Sequence, residues 1–304
     1  MWGVTLLTFG LMNLLPGGAA TALAGPGATR QQIHEIAVRL HLNEPFVVRY
    51  LHWLGGAITG HLGNSLANGQ PVSAILVQRL PVTAEMVGIA MVASVILAVP
   101  LAILAVYHPR GITDRLSILL AISGLSIPGF VLGIILILVV AVHWRLLPPI
   151  GFTPLAAGLW PNLRTLILPT ATLGFPLFCL YTRVLRADLL DQLNSEDYIV
   201  TAIAKGLSPM QVLVRHAFRN SLFNFLTLVG LNLGVLIGGT VLIEQIFDVP
   251  GMGQELIQAI QDQDVIVVEA IVVVLALAVV ITSLLTDLVY SVLDPRIRYG
   301  GSGN

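Results

Sequence analysis

The sequence predicts an all-α, polytopic membrane protein with six transmembrane helices. The chain has 304 residues, of which 56% are hydrophobic and only 10% are charged, and its mean hydropathy is +0.89. An average soluble domain is about 25% charged, so the few polar groups here would not cover the apolar surface in water. The apolar residues also fall into separate runs near the length that crosses a bilayer, with polar stretches between them.

Six stretches are predicted to span the membrane. A hydrocarbon core about 30 Å thick needs roughly 20 apolar residues in a helix. Five stretches meet or approach that length, whereas the first reaches only about 22 Å at about 1.5 Å per residue. We expect this first span to be clipped at its N-terminal end or to begin elsewhere. The predicted spans cover residues 2–15, 83–106, 116–142, 166–182, 222–243 and 267–290.

The distribution of lysine and arginine indicates that both termini lie in the cytoplasm. Cytoplasmic loops of membrane proteins carry an excess of these residues. With both termini inside, nine of the 15 basic residues lie inside, and four of the other six are spread over the long segment 16–80. The outside stretch 244–266 has carboxylates but no lysine or arginine. The segment 183–221 is then cytoplasmic.

The external segment 16–80 is predicted to contain helices and is not a disordered linker. Thr29 and Gln32 have the spacing of a capping box. Apolar residues then follow at the spacing of one helical face: Ile33, Ile36, Ala37 and Leu40. This pattern predicts a short amphipathic helix that lies on the membrane or on the protein's own spans. Pro45 separates it from a second run with an apolar face, residues 46–58.

The stretch 196–222 is polar and basic between two apolar runs, and it predicts a short helix, a tight turn and a second short helix. Glu196 and Asp197 favour a helix N-terminus through the helix dipole. Gly206 suits the left-handed residue that ends a helix. Three residues after it match the N-cap, the first helical position and the reciprocal partner of a capping box: Ser208, Pro209 and Gln211.

Small residues give the first of these helices a face that a partner surface can approach closely: Thr201, Ala202, Ala204 and Gly206. A helix-turn-helix also suggests DNA binding, but residues 183–221 hold five basic and four acidic residues. That balance is too weak for affinity driven by phosphates, so no nucleic acid partner is expected. A solvated loop without a partner and a docking element for a cytoplasmic protein both remain open, and the second is favoured.

Polar residues within the spans are few. Glu85, Glu269 and Asp287 lie near predicted span ends, where a solvated or paired carboxylate is the ordinary interpretation, although intramembrane carboxylates are often functional. Asn232 lies deeper, in the middle of a span. It is a candidate for lining a substrate path, and an interhelical hydrogen bond is the competing interpretation.

Two local patterns predict how the spans pack and bend. Gly230, Gly234 and Gly238 are four residues apart and so share a helical face, which lets another helix approach closely. In the span 116–142, Pro128 removes a backbone hydrogen bond and predicts a kink. The kink is compatible with a gate or with simple curvature.

Several classes of chemistry find no support in the sequence. It contains no phosphate-binding Walker A motif, and its seven histidines show no metal-ligand spacing, so no metal site is expected. The lone cysteine, Cys179, excludes an intrachain disulfide. A membrane-embedded enzyme would need a nucleophile with a base, or paired carboxylates, inside the spans, and none is visible. A passive channel would not need a capped cytoplasmic docking element.

Four stretches resemble the permease subunits of ABC importers, in the form of the dipeptide/oligopeptide/nickel group (peptide permease, B-type subunit). "DYIVTAIAKGLSPMQVLVRHAFRNSL" looks like the cytoplasmic coupling loop of this group and matches its form almost throughout, although the generic pattern of importer permeases survives only at Ala202 and Gly206. The external segment 40–66, the external segment 244–264 and the C-terminal stretch 287–300 resemble the same group. The sequence departs from it at 263–266, where Gln-Asp-Val-Ile replaces the usual Arg-Asp-x-Pro.

The resemblance implies a type I ABC importer permease in the bacterial plasma membrane. It implies four kinds of partner: a second permease subunit in a heterodimer, two ABC ATPase subunits, an extracytoplasmic substrate-binding protein and membrane lipid. The chain would hold no cofactor of its own, since Mg-ATP binds to the ATPases, and the substrate would be a di- or oligopeptide, with nickel, glutathione or heme as alternatives. The residues that the resemblance places in ATPase coupling are Asp197, Tyr198, Thr201, Ala202, Lys205 and Gly206.

Overall fold

The computed structural model of this chain describes residues 3, 5, 6, 9, 10, 29–39 and 43–293. Within these ranges the regular structure is helical, apart from an isolated antiparallel bridge between Asn64 and Pro71. Most of the predicted first span, residues 2–15, lies outside the described residues. The helices are α1 (Arg30–Arg39), α2 (Phe46–Thr59), α3 (Val72–Tyr107), α4 (Ile112–Ser126), α5 (Gly129–Leu136, continued by a π-helical segment Ile137–His143), α6 (Leu159–Ser195), α7 (Asp197–Ala204), α8 (Pro209–Phe247), α9 (Met252–Gln261) and α10 (Val265–Leu293).

In the described part of the chain, four helices are long and apolar enough to cross a membrane. They are α3, α6, α8 and the segment Val265–Leu288 of α10. The first three each contain one predicted span, and α10 as a whole contains the predicted span 267–290. The bent pair α4–α5 provides a fifth crossing if the two helices together count as one span. The helices extend beyond the apolar runs, since packing against the rest of the protein stabilises residues at the helix ends as well.

The predicted cytoplasmic loop 183–221 is much shorter in the structure. Helix α6 continues to Ser195, since its sequence after residue 182 contains neither glycine nor proline and places Leu185 and Leu189 in the protein interior. After the turn, the chain enters α8 directly, and α8 continues through a π-helical segment, Leu213–Ala217, to Phe247. The prediction of a second, separate short helix at this point is therefore wrong, and only α7 remains short.

The span predicted over 116–142 is broken at its proline. Ile127 is extended, at φ −94° and ψ 119°, because the ring of Pro128 disfavours a helical residue before it. The hydroxyl of Ser126 donates to the carbonyl oxygen of Ile122 at 2.7 Å, and α5 restarts at Gly129. The axes of the two helices differ by 108°. This is a full break, so the interpretation of Pro128 as simple curvature is wrong.

The segment before the long helix α3 contains the two predicted amphipathic elements. The capping box at the start of α1 is confirmed: Thr29 N–H donates to Gln32 Oε1 at 2.9 Å, and Gln32 N–H donates to Thr29 Oγ1 at 3.3 Å. Helix α2 begins directly after Pro45, as the sequence predicts.

The chain divides into two compact units, and residues 1–84 with 248–280 form the first. Asp264 is the main polar contact in it and is buried. Its Oδ2 accepts hydrogen bonds from Ser65 Oγ at 2.5 Å and from the backbone N–H of Leu66 at 2.9 Å, while its Oδ1 accepts from the N–H of Val267 at 3.2 Å. The same carboxylate thus caps α10 and holds the loop before α3. The Arg79–Glu255 ion pair, at 2.9 Å, links α3 to α9.

Helix α6 forms the centre of the second unit, residues 85–247 with 281–304. It packs against α4, α5 and α8. Small residues set its close contacts: a Cβ on Gly124 would lie 2.3 Å from Cys179 Sγ, and a Cβ on Gly174 would lie 2.9 Å from Ser94 Oγ. Ser94 Oγ donates to the carbonyl oxygen of Gly174 at 2.8 Å. These contacts bring backbones close enough for dispersion forces to hold the helices together in lipid.

The glycines predicted to form a packing face on α8 differ in their surroundings. A Cβ on Gly230, which is buried, would lie 2.1 Å from Cγ2 of Thr286 in α10. Gly238 is exposed in this chain, and a Cβ there would meet nothing within 4 Å. Gly234 is half-buried. The close approach within the chain therefore lies at Gly230.

We expect Gly230→Val to destabilise the protein, because its side chain would collide with Thr286. Overpacking of this kind typically costs about 1–3 kcal/mol. Thermal unfolding of the purified chain in detergent should show a midpoint several degrees below that of the wild type. Gly238→Val is the matched control on the same helix and should unfold like the wild type. Equal midpoints for the two variants would contradict this assignment of the contact.

Candidate docking segment

Helix α7 is the short element that connects two long helices. Glu196 is extended, at φ −103° and ψ 125°, and it ends α6 and opens α7. Asp197 is the first residue of α7, where a carboxylate interacts favourably with the positive end of the helix dipole. Asp197, Thr201 and Lys205 are all exposed. The chain therefore presents this helix between α6 and α8, outside the apolar runs.

The turn after α7 has the predicted geometry. Gly206 has φ 77°, in the left-handed region that glycine adopts without steric penalty. Its N–H donates to the carbonyl oxygen of Ile203 at 2.9 Å. The capping box is also confirmed, since Ser208 N–H donates to Gln211 Oε1 at 3.0 Å and Gln211 N–H donates to Ser208 Oγ at 3.4 Å. Both ends of the turn are thus fixed by hydrogen bonds.

A buried glutamine ties α7 to both long helices. Tyr198 Oη in α7 donates to Gln192 Oε1 in α6, and Asn220 Nδ2 in α8 donates to the same oxygen at 2.7 Å. Burial raises the pKa of Tyr198, as does the nearby Glu196 carboxylate, so the phenol keeps its proton and remains a donor. We call Gln192, Tyr198 and Asn220 the three-helix anchor. A second bond joins the long helices, from Asn224 Nδ2 to Asp188 Oδ1 at 3.3 Å.

The inner face of α7 is buried within the chain. Ile199 and Ala202 are only 1% and 4% exposed, and α7 packs against the first turns of α8. The prediction that Ala202 belongs to a surface open to a partner is therefore wrong. Ala202 and Ile199 are three residues apart and share one helical face, and the tertiary fold uses that face for its own packing.

The outer face of α7 carries uncovered apolar side chains. Val200 and Ile203 are 66% and 60% exposed. Thr201, Ala204 and Lys205 beside them are also exposed. Exposed apolar residues that cluster on one small element are typical of interaction surfaces. We call Val200, Thr201, Ile203 and Ala204 the outer face of α7.

The structure brings together only part of the predicted coupling set. Tyr198 joins the three-helix anchor, whereas Thr201 Oγ1 donates to the carbonyl oxygen of Asp197 at 3.1 Å within α7. The predictions from sequence did not include the roles of Gln192, Val200 and Ile203. The sequence does contain a pattern that indicates the outer face. The apolar residues 199, 200, 202 and 203 project over too wide an angle around the helix axis for a short helix to bury all of them. No comparable signal exists for Gln192, whose partners lie in two other helices.

The candidate for a substrate path has a local partner. Asn232 Nδ2 donates to the carbonyl oxygen of Leu228, one turn earlier in α8, at 2.7 Å. This bond lies within one helix and is not the interhelical bond that the sequence suggested. Among the described residues, no group of three or more His, Cys, Asp or Glu side chains is placed to hold a metal ion.

Comparisons with known proteins match almost the whole chain. Residues 98–299 match the family model of the binding-protein-dependent transport system inner membrane component, and residues 1–87 match the model of its N-terminal part. The chain is 39% identical, over 97% of its length and 94% of the relative, to a probable peptide ABC transporter permease protein of Sinorhizobium fredii. It is 35% identical, over 98% of its length and 94% of the relative, to the dipeptide transport system permease protein DppB of Escherichia coli K12.

We expect Gln192→Leu to loosen α7, because Tyr198 and Asn220 would lose their shared acceptor. Tyr198 is half-buried and Asn220 is exposed to water, so each lost hydrogen bond is worth about 0.5–1.5 kcal/mol, and local opening should become about tenfold more frequent. Trypsin cleavage after the exposed Lys205 in the folded protein should accelerate accordingly. Gln261→Leu, at an exposed position at the end of α9, is the control and should leave this rate unchanged. An unchanged cleavage rate in Gln192→Leu would show that the anchor does not hold α7.

Proposed function

Because this chain belongs to the family of binding-protein-dependent transport system inner membrane components, the permease subunits of ABC importers, we propose that it forms half of a translocation path for di- and oligopeptides. It is a multi-pass protein of the bacterial inner membrane, and it works with ATPase and substrate-binding subunits. The family is one of transport subunits and not of enzymes. The chain supplies the path and its coupling, while the partner ATPases hydrolyse ATP.

The similarity to named permeases supports a peptide substrate. A peptide permease and a dipeptide permease are 39% and 35% identical to this chain over almost its full length. This favours peptides over nickel, glutathione or heme. The similarity also extends through the polar stretch between α6 and α8, so it includes the element to which we assign coupling.

The observation that carries the coupling proposal is the uncovered outer face of α7, held by the three-helix anchor. A partner ATPase has an apolar surface available at Val200 and Ile203. Gln192 fixes α7 to α6 and α8 together. Movement of the ATPase against α7 is therefore passed to two membrane-crossing helices at once, and their displacement opens the path to one side of the membrane or the other.

The assembly that follows contains three kinds of subunit besides this chain, and membrane lipid surrounds it. We assign to it a second, different permease subunit, two ABC ATPases and an extracytoplasmic substrate-binding protein. Mg-ATP binds to the ATPases, and this chain holds no cofactor. The excess of lysine and arginine supports an orientation in which α7 and both termini lie in the cytoplasm, the side where ATP is available.

In reconstituted proteoliposomes, the complete importer should take up a dipeptide and hydrolyse ATP faster when the loaded binding protein is present. Val200→Asp and Ile203→Asp should each weaken ATPase binding at least about tenfold, because an unpaired charge would enter an apolar interface. Transport and substrate-stimulated hydrolysis should fall together. Both measurements are made on variants whose thermal stability matches the wild type.

Two control variants separate docking from folding. Ile203→Leu keeps an apolar side chain on the outer face, and Gln211→Ala removes only a reciprocal cap worth about 1 kcal/mol or less; both should transport normally. Ala202→Asp should instead destabilise the chain itself, since Ala202 is buried. Wild-type coupling in both Asp variants of the outer face would refute the docking role, and uptake of nickel, glutathione or heme without peptide uptake would refute the substrate.

The proposed orientation predicts which side of the membrane each loop faces. In a Cys179→Ala background, a cysteine at Ser208 should react with an impermeant thiol reagent only from the cytoplasm, and one at Gln254 only from outside. A cysteine at His108 should behave like the one at Ser208 if the bent pair α4–α5 crosses the membrane once. Labelling of position 108 from outside would identify the pair as a re-entrant loop, and reversed labelling at 208 and 254 would overturn the orientation.

A further inference from the structure

A pocket of about 470 Å³ lies between α4 and α6, away from the docking segment. Its lining residues are Ser117, Ile118, Ala121, Ile122, Arg183 and Arg186, with Ser126 and Ala187 at its margin. We propose that this pocket binds the phosphate group and the adjoining acyl chain of an anionic phospholipid. The assignment goes beyond the transport function and does not depend on it.

Two helix–helix contacts frame the pocket. Asp114 and Arg186 join the helices at one end, where Arg186 Nη2 lies 2.6 Å from Asp114 Oδ1. Gly124 meets Cys179 at the other end, where an added Cβ would lie 2.3 Å from Sγ. Between these two contacts, the small side chains of Ala121 and Ala187 leave the space unfilled.

Only one of the two arginines in the pocket is paired with a carboxylate that neutralises its charge. Arg186 is neutralised, since both its Nη2 and its Nε contact Asp114 Oδ1, at 2.6 and 2.8 Å. Arg183 is exposed, and no ion pair or hydrogen bond to its side chain exists among the described residues. The pocket therefore presents one uncompensated guanidinium group, which suits an anion and favours phosphate through paired N–H donors.

The opposite wall of the pocket is apolar and uncovered. Ile118 and Ile122 are 44% and 63% exposed. The serine hydroxyls of this wall are used within α4: Ser117 donates to the carbonyl oxygen of Asp114, and Ser126 to that of Ile122, each at 2.7 Å. The wall thus offers aliphatic surface along the helix and few free donors.

The position of the pocket suits both the charged headgroup and the apolar acyl chain of a lipid. The apolar run 166–182 ends at Arg183, so the guanidinium lies where the hydrocarbon core meets water, and Ile118 and Ile122 extend from there towards the core. Basic pockets between transmembrane helices at this depth are suited to anionic headgroups. A free phosphate or a carboxylate would use Arg183 and leave the isoleucine wall uncovered.

The test uses the full-length chain in detergent, with bound lipids counted by native mass spectrometry during titration with phosphatidylglycerol. Arg183→Gln should weaken binding about fivefold, the factor for one basic residue at an anionic surface. Ile122→Asn should weaken it as well, because the acyl chain loses apolar contact. Arg115→Gln removes an exposed arginine of α4 that does not line the pocket and should bind like the wild type.

Two further binding measurements identify the ligand. Phosphatidylcholine should bind more weakly than phosphatidylglycerol, and glycerol 1-phosphate should fail to compete, since it has the phosphate without the acyl chain. Equal binding of the two lipids, equal losses in Arg183→Gln and Arg115→Gln, or unchanged binding in Arg183→Gln would each overturn the proposal. Effective competition by glycerol 1-phosphate would overturn the lipid assignment in favour of a soluble phosphate ester.

Discussion

The absence of water in the bilayer core is the constraint on which this structure depends. Backbone N–H and C=O groups that cross the core must bond within their own helix, so the crossing segments are long helices, such as α3, α6 and α8. Where a helix is interrupted, at Pro128, the last N–H before the proline keeps its helical bond: Ile127 N–H donates to the carbonyl oxygen of Ser123 at 3.2 Å. The same constraint confines polar irregular structure to segments outside the apolar runs, which is where α7 lies.

The second consequence concerns how the helices hold together. Lipid tails are as apolar as leucine, so burial of apolar side chains gives little preference for one helix over another. Close approach through small residues replaces it, as at Gly124 against Cys179, Gly174 against Ser94, and Gly230 against Thr286. Polar contacts then fix the ends of the helices, with Asp114–Arg186 joining α4 to α6.

In the coupling role that we propose, the position of α7 connects this packing to transport. A helix of eight residues is not stable alone, and its buried Ile199 and Ala202 attach it to α8 while Tyr198 attaches it to α6 through Gln192. Its remaining face is free for a partner. A rigid joint between two membrane-crossing helices and an exposed apolar surface are what force transmission from a cytoplasmic ATPase requires, because a flexible joint would absorb the movement.

The sequence by itself determined the membrane class, the apolar core of each long helix, and the local features that depend on neighbouring residues: the capping boxes at Thr29 and Ser208 and the left-handed Gly206. Caps and turns are set within a few residues, so sequence spacing suffices for them. The tertiary structure alone decided that Ala202 faces inward, that the helix beginning at Pro209 continues into the long α8, and that Gln192 joins three helices. Helical periodicity shows which residues share a face, but which face meets its own protein depends on helices distant in the chain.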